Sequence, residues 1–237
     1  MKQIVAFGGG GFSMESTPLI DDFVLSCSRR PRPRVCFLPT ASGDAATYTA
    51  RFYRAFTARD CLATDLTLIG SGHLARHPAG DGEIAAFVAD QDVIYVGGGN
   101  TAHMLALWRV HGVDRALRIA WESGTVMAGL SAGMICWFAA SITDSYGPLA
   151  PMHDGLALLP HSACPHYDSE RARRPTYHAM IGEGLPAGYA ADDGAALHFV
   201  GDQLQEVVTS RPEAAAYWVE KQGGGVVEKR LPARYLG

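Results

Sequence analysis

The chain has 237 residues, 48% of them hydrophobic, and a formal net charge of −4. That length and apolar content suit one domain with a sizeable core, expected over residues 1–237. The acidic balance argues against a nucleic-acid or anionic-membrane partner, and no apolar run approaches the roughly 20 residues of a membrane span.

Met1 to Phe7 runs straight into a strand-like stretch without the pattern of a signal peptide. The five cysteines show no Cys-x-x-Cys spacing, which predicts reduced thiols and a cytoplasmic location. Ile4–Phe7 reads as a buried strand, followed by Gly8 to Gly11. This glycine run breaks the dinucleotide fingerprint at Ser13, and no Gly-Lys-Ser/Thr follows, so a tight turn lining a cleft is expected rather than a phosphate site. A helix is predicted over 17–28, a strand over 35–40, a helix over 46–59 with Tyr48, Phe52 and Phe56 facing a core, and a strand over 64–69. A short helix over 82–90 and a strand over 93–96 follow, then Gly97-Gly98-Gly99-Asn100, a helix over 102–110 and another over 115–123. The strands are continuous apolar runs alternating with helices, the mark of a parallel sheet covered on both faces. Ligands in such sheets bind beyond the strand carboxyl ends.

Val126 to Met134 contains Gly129-Leu130-Ser131-Ala132-Gly133, the Gly-x-Ser-x-Gly spacing of a nucleophile elbow between a strand and a helix. The helix is expected to run from Ala132 to Ala140. Beyond it, residues 145–160 read as loop, 171–181 as a helix broken at Pro175, and 188–200 as strand, turn and strand. Further strands are expected over 204–208 and 214–219, with a turn at Gly223 to Gly225, all extending or flanking the same sheet.

A serine nucleophile needs a base, an acid that orients the base, and oxyanion donors. Nine histidines are available. His73 and His77 fall in a polar loop and His103 follows Gly99, whereas His153, His161, His178 and His198 have no distinctive setting. His166 stands where a strand should end, with Pro165 fixing its entry. For the acid, Asp192 and Asp193 precede Gly194, and Asp144 is a second candidate. Gly98 and Gly99 offer backbone N–H groups for an oxyanion. No metal-binding motif appears, since His-Glu-x-x-His and Cys-x-x-Cys are absent and Asp21-Asp22 is an isolated pair.

Val96 to Thr101, the elbow at Ser131, and Pro165-His166-Tyr167 occur in this order, and together they resemble the peptidase E (aspartyl dipeptidase) family, which includes the cyanophycinases. The resemblance implies a three-layer α/β sandwich with a mostly parallel central sheet, like that of class I glutamine amidotransferases (flavodoxin-like), and no cofactor. It implies Ser131 as nucleophile, His166 as base, and Gly99 with Ala132 as the oxyanion hole. The family's acid, often glutamate, falls at Asp193, with Asp192 and Asp144 as weaker alternatives. Arg173 or Arg174 is expected to hold the side chain of an N-terminal aspartate. The expected partner is a short peptide, with no nucleic acid and no membrane, and a homodimer stays open. Two rivals remain: an α/β-hydrolase-type esterase, whose acid would precede its histidine as Asp192 and Asp193 precede His198, and an amidotransferase-like domain that kept the fold and lost the chemistry.

Overall fold

Alternate residues of each central strand face opposite layers, and this sets the architecture. The computed structural model describes residues 1–15, 19–69 and 81–237. In chain order the first elements are β1 (Gln3–Phe7), α1 (Leu19–Ser26), β2 (Arg34–Leu38), α2 (Ala46–Phe56), β3 (Leu62–Asp65), α3 (Asp81–Ala89), β4 (Val93–Val96), α4 (Thr101–His111), α5 (Val113–Ser123) and β5 (Val126–Leu130). Then come α6 (Ala132–Ile135), β6 (Phe138–Thr143), β7 (Ala150–Met152), β8 (Leu159–Cys164), α7 (Arg173–Glu183) and β9 (Gly188–Ala191). The chain closes with β10 (Ala195–Val200), β11 (Gln203–Thr209), β12 (Ala216–Gln222), β13 (Gly225–Arg230) and β14 (Ala233–Tyr235).

The main sheet has eight strands in the order β14-β11-β10-β1-β5-β4-β2-β3. From β1 to β3 every pairing is parallel, while β10 joins β1, and β11 joins β10, antiparallel. Val5, Phe7, Phe37 and Tyr95 pack under Ile20 and Val24 of α1 and under Phe52 and Phe56 of α2. Ile4, Ala6, Cys36, Ile94 and Met127 face the other way, onto Trp108 of α4, Leu117 of α5 and Val88 of α3. The parallel α/β layering expected from the continuous apolar runs is therefore present, because strands buried on both faces have no polar side to show.

The second half of the chain departs from its sequence pattern. The helix expected over 132–140 stops after one turn, and Phe138–Thr143 is strand β6. The carbonyls that would continue that helix are taken by an incoming segment: Cys136 O accepts from Leu156 N–H, and Trp137 O accepts from Leu158 and Leu159 N–H. Tertiary pairing overrides good local helix formers here. Strand β6 belongs to a second sheet of six strands, ordered β13-β12-β9-β8-β6-β7. The strand–turn–strand unit over 188–200 is thus split, with β9 in the second sheet and β10 in the main one. Helix α7 is not broken at Pro175, which sits in its first turn, where a missing N–H costs no helical bond. A separate apolar cluster holds α7, through Tyr177 and Ile181, on Ile142, Cys164, Ala190 and Val219 of the second sheet. Among the described residues no helix is long and apolar enough to cross a membrane.

Candidate active site

The strand–helix corner at the end of β5 is tight because two glycines permit it. A Cβ on Gly129 would stand 2.5 Å from the Gly133 carbonyl oxygen, and one on Gly133 would run into the Val96 carbonyl. Only hydrogens fit between β5, α6 and β4. Ser131, at the corner, has φ 55° and ψ −112°, a backbone conformation that L-residues rarely adopt. Helix α6 has four residues, so the N–H of Ala132 serves as an individual donor rather than the head of a long dipole.

The β4–α4 turn comes up beside the corner. A Cβ on Gly98 would lie 3.3 Å from Ser131 Cβ and 3.7 Å from its Oγ. Gly98 N–H is already used, donating to the Tyr48 hydroxyl at 3.2 Å. Gly99, at φ 138°, is fixed by its fit against the Ala41 carbonyl, which a side chain would hit. Among the described residues neither Gly99 N–H nor Ala132 N–H meets an acceptor, so these two donors stand available at the corner. Tyr48, which the sequence pattern placed among core-facing residues, lines the cleft as well; its hydroxyl reaches the glycine turn, and its ring packs on Phe12 and Phe37.

His166 follows β8 and also has a positive φ, 52°. Its Nδ1 lies 2.6 Å from Asp193 Oδ1. With a carboxylate as acceptor, Nδ1 carries the proton and Nε2 is left as the basic nitrogen. Burial tends to raise the Asp193 carboxyl, but hydrogen bonds from His166 and Ser169 and the charges of His166 and Arg211 outweigh it, leaving the group below its ordinary value. Ser131 and His166 line one cleft of about 370 Å³, together with Gly98, Tyr48 and Arg51. Among the described residues no hydrogen bond joins Ser131 Oγ to the imidazole; such bonds commonly form only once substrate is bound. A second hollow, about 570 Å³, shares Ser13, Met14 and Arg51 with this cleft and adds Arg54, Arg59 and Glu15.

The remaining sequence candidates lie apart from this pair. Asp192, next to Asp193, turns the other way and accepts from Ala215 N–H at 2.9 Å. Burial and the negative charge of Asp168 push it up to about 6. Asp144 is exposed and faces Arg173 at 3.8 Å rather than a histidine. Arg173 is buried against Glu170, and Arg174 pairs with Glu228 and lies over the Tyr167 and Tyr217 rings. Neither is a cleft-lining guanidinium; Arg51 is. His198, the histidine an esterase order would require, is held in the sheet by Gln3 at 3.0 Å and by Glu206 at 3.8 Å. His103 and His153 are exposed, His161 packs on Trp218, and His178 bonds Tyr167 and Glu228. His73 and His77 lie outside the described residues. Among the described residues no group of three or more His, Cys, Asp or Glu side chains is arranged to hold a metal ion.

Comparison with known proteins agrees with this fold. Residues 4–207 match peptidase family S51. Along its whole length the chain is 52% identical to the protein called "Uncharacterized peptidase YgaJ" of Bacillus subtilis (strain 168), with all of both chains covered. It is 31% identical over 126 residues to peptidase E of Actinobacillus pleuropneumoniae serotype 5b (strain L20), covering 49% of this chain and 54% of that one. The crystal structure of a peptidase from an acI-B1 Actinobacterium superposes with a TM-score of 0.70, covering 98% of this chain and 95% of that one, and at 17% identity it speaks to the fold alone. With the greater part of its length matched, the chain belongs to peptidase family S51.

Proposed function

We propose that this chain is a serine peptidase that hydrolyses dipeptides or other short peptides. Ser131 Oγ attacks the scissile carbonyl, and His166 Nε2 takes the hydroxyl proton as the bond forms. The tetrahedral oxyanion is held by the N–H groups of Gly99 and Ala132. His166 then passes the proton to the leaving amine, and a water attacks the acyl-enzyme by the same route in reverse. Asp193 keeps Nδ1–H pointed at itself and stabilises the imidazolium.

The observation that carries this reading is the 2.6 Å contact between His166 Nδ1 and Asp193 Oδ1, made by a histidine that shares one cleft with the strained Ser131. Three sequence-distant segments converge there, and two of them, at Ser131 and His166, hold a non-glycine residue at positive φ. A cleft of about 370 Å³ has room for a short peptide. For a substrate with an N-terminal aspartate, Arg51 is the guanidinium available in that cleft.

The decisive experiment sets wild type and Ser131→Ala against a panel of Asp-Xaa and Xaa-Leu dipeptides, with a p-nitrophenyl ester alongside. Peptide hydrolysis by wild type, lost in the folded variant, together with labelling of Ser131 by a serine-reactive probe, supports the proposal. Full activity in purified Ser131→Ala would end it, and ester cleavage without peptide cleavage would favour the esterase.

A further inference from the structure

Asp193 is held by its backbone as well as by its carboxylate. Its N–H donates to Asp168 Oδ1 at 2.9 Å. Its carbonyl accepts from Arg211 Nε at 3.0 Å and from Arg211 Nη2 as well. Arg211 Nη2 in turn donates to Asp168 Oδ2 at 2.7 Å. These contacts close a ring: one ion pair, between residues 43 positions apart, grips both polar groups of the Asp193 main chain. The next residue, Gly194, leaves room for that guanidinium, since a Cβ there would stand 3.0 Å from Arg211 Nε and 2.9 Å from Ser210 Oγ. Its φ of 77° also favours glycine.

The two partners come from telling places. Asp168 lies two residues beyond His166 in the loop after β8, and Arg211 lies in the connection from β11 to β12, where the chain passes from the main sheet to the second one. The ring therefore ties the loop bearing the imidazole, the turn bearing the carboxylate, and the junction of the sheets. The charged or titratable groups around Asp193 are His166, Asp168, Asp192, Glu15 and Arg211. Arg211 is the cation among them whatever the pH. The imidazole loop needs such a tie, because His166 holds a left-handed backbone that only surrounding structure can maintain. A guanidinium with paired, parallel donors suits this task better than an ammonium would.

We propose that Arg211 and Asp168 are positioning residues of the catalytic site, fixing the Asp193 main chain so that its carboxylate meets His166 Nδ1. Neither touches substrate. The inference rests on the serine-peptidase reading for its kinetic consequences, but its geometric content does not.

Two measurements test it. In steady-state kinetics on the best dipeptide, Arg211→Gln should lower kcat by about 10²-fold with KM nearly unchanged, as expected for a sub-ångström to ångström misplacement of an orienting group. Asp168→Asn should do the same, and Arg211→Lys should recover only part of the loss. In an Asp193→Asn background, Arg211→Gln should have no further effect, because the group it positions is gone. Independently of hydrolysis, the short His166–Asp193 bond should give a strongly downfield Nδ1 proton resonance in wild type, and Arg211→Gln should weaken or abolish it. Wild-type kcat and an unchanged downfield proton in folded Arg211→Gln would overturn the proposal, as would losses that multiply in the Asp193→Asn background. If wild type hydrolyses no peptide, the serine-peptidase reading fails and the proton resonance alone decides the positioning role.

Discussion

Gly9 has no side chain where Asp193 turns towards His166: a Cβ on Gly9 would strike Asp193 Oδ1 and lie 3.0 Å from His166 Cε1. The glycine-rich turn after β1 therefore makes room for the imidazole–carboxylate pair. It is also tied to that pair, since Gly194 N–H donates to Gly9 O at 2.8 Å. The glycine run packs closely against Asp193, and that closeness is the reason Gly9 carries no side chain.

Gly9→Ala should consequently damage the pair without emptying the core. Asp193 must move by the width of a methyl group, and kcat should fall by roughly 10²-fold while KM changes little. Circular dichroism and thermal unfolding should show a folded protein. Unaltered kcat in the alanine variant would mean that the pair does not need this space.

Asp193→Asn should lower kcat by about 10²- to 10⁴-fold, because an amide cannot hold the imidazole in the required tautomer. The same variant has a stability signature. The folded carboxyl sits below its ordinary value of 3.8, so its contribution is present above about pH 4 and is lost as pH falls through the folded value. Acid unfolding followed by fluorescence should therefore be less steep in the variant than in wild type.

Asp21 carries the opposite sign. It is fully buried, accepts from Phe12 N–H at 2.7 Å and from the Tyr95 hydroxyl at 2.8 Å, and is pushed by burial up to about 7. A raised acid favours the folded protein fully below about pH 4, and that favour is lost as pH rises through 7. The expected cost between pH 4 and pH 8 is on the order of a few kcal/mol at most. Urea unfolding at those two pH values should show it in wild type, and Asp21→Asn should remove the pH-dependent part.

Arg51→Gln should separate substrates by charge. If its guanidinium receives the aspartate side chain, kcat/KM for Asp-Xaa dipeptides should fall about 10- to 100-fold, while neutral dipeptides change little. Equal losses on both classes, or none on either, would remove Arg51 from recognition. Arg173→Gln should instead act on stability, because its guanidinium is buried in contact with Glu170 and Asp144.

Local chemistry made the main sheet and the corner legible. Continuous apolar runs such as Val93 to Val96 can satisfy both faces only inside a covered parallel sheet, and Gly129-x-Ser131-x-Gly133 leaves few conformations other than a close strand–helix corner. The strand-end setting after Pro165 marked His166, the turn before Gly194 marked Asp192 and Asp193, and the family resemblance then chose His166 and Asp193. What the sequence pattern could not supply was decided by contacts between distant segments. Helix α6 ends after one turn because residues 156–159 claim its next carbonyls, and β9 and β10 part into different sheets because their neighbours differ. Asp193 rather than Asp192 reaches the imidazole because Ala215 N–H draws Asp192 the other way. Arg173 and Arg174 are taken up by Glu170, Asp144 and Glu228, so Arg51, on a helix before the elbow, faces the cleft. Propensity and pattern act over a few residues, whereas a carboxylate or guanidinium takes whichever partner the assembled fold brings within hydrogen-bond reach, and that choice exists only in three dimensions.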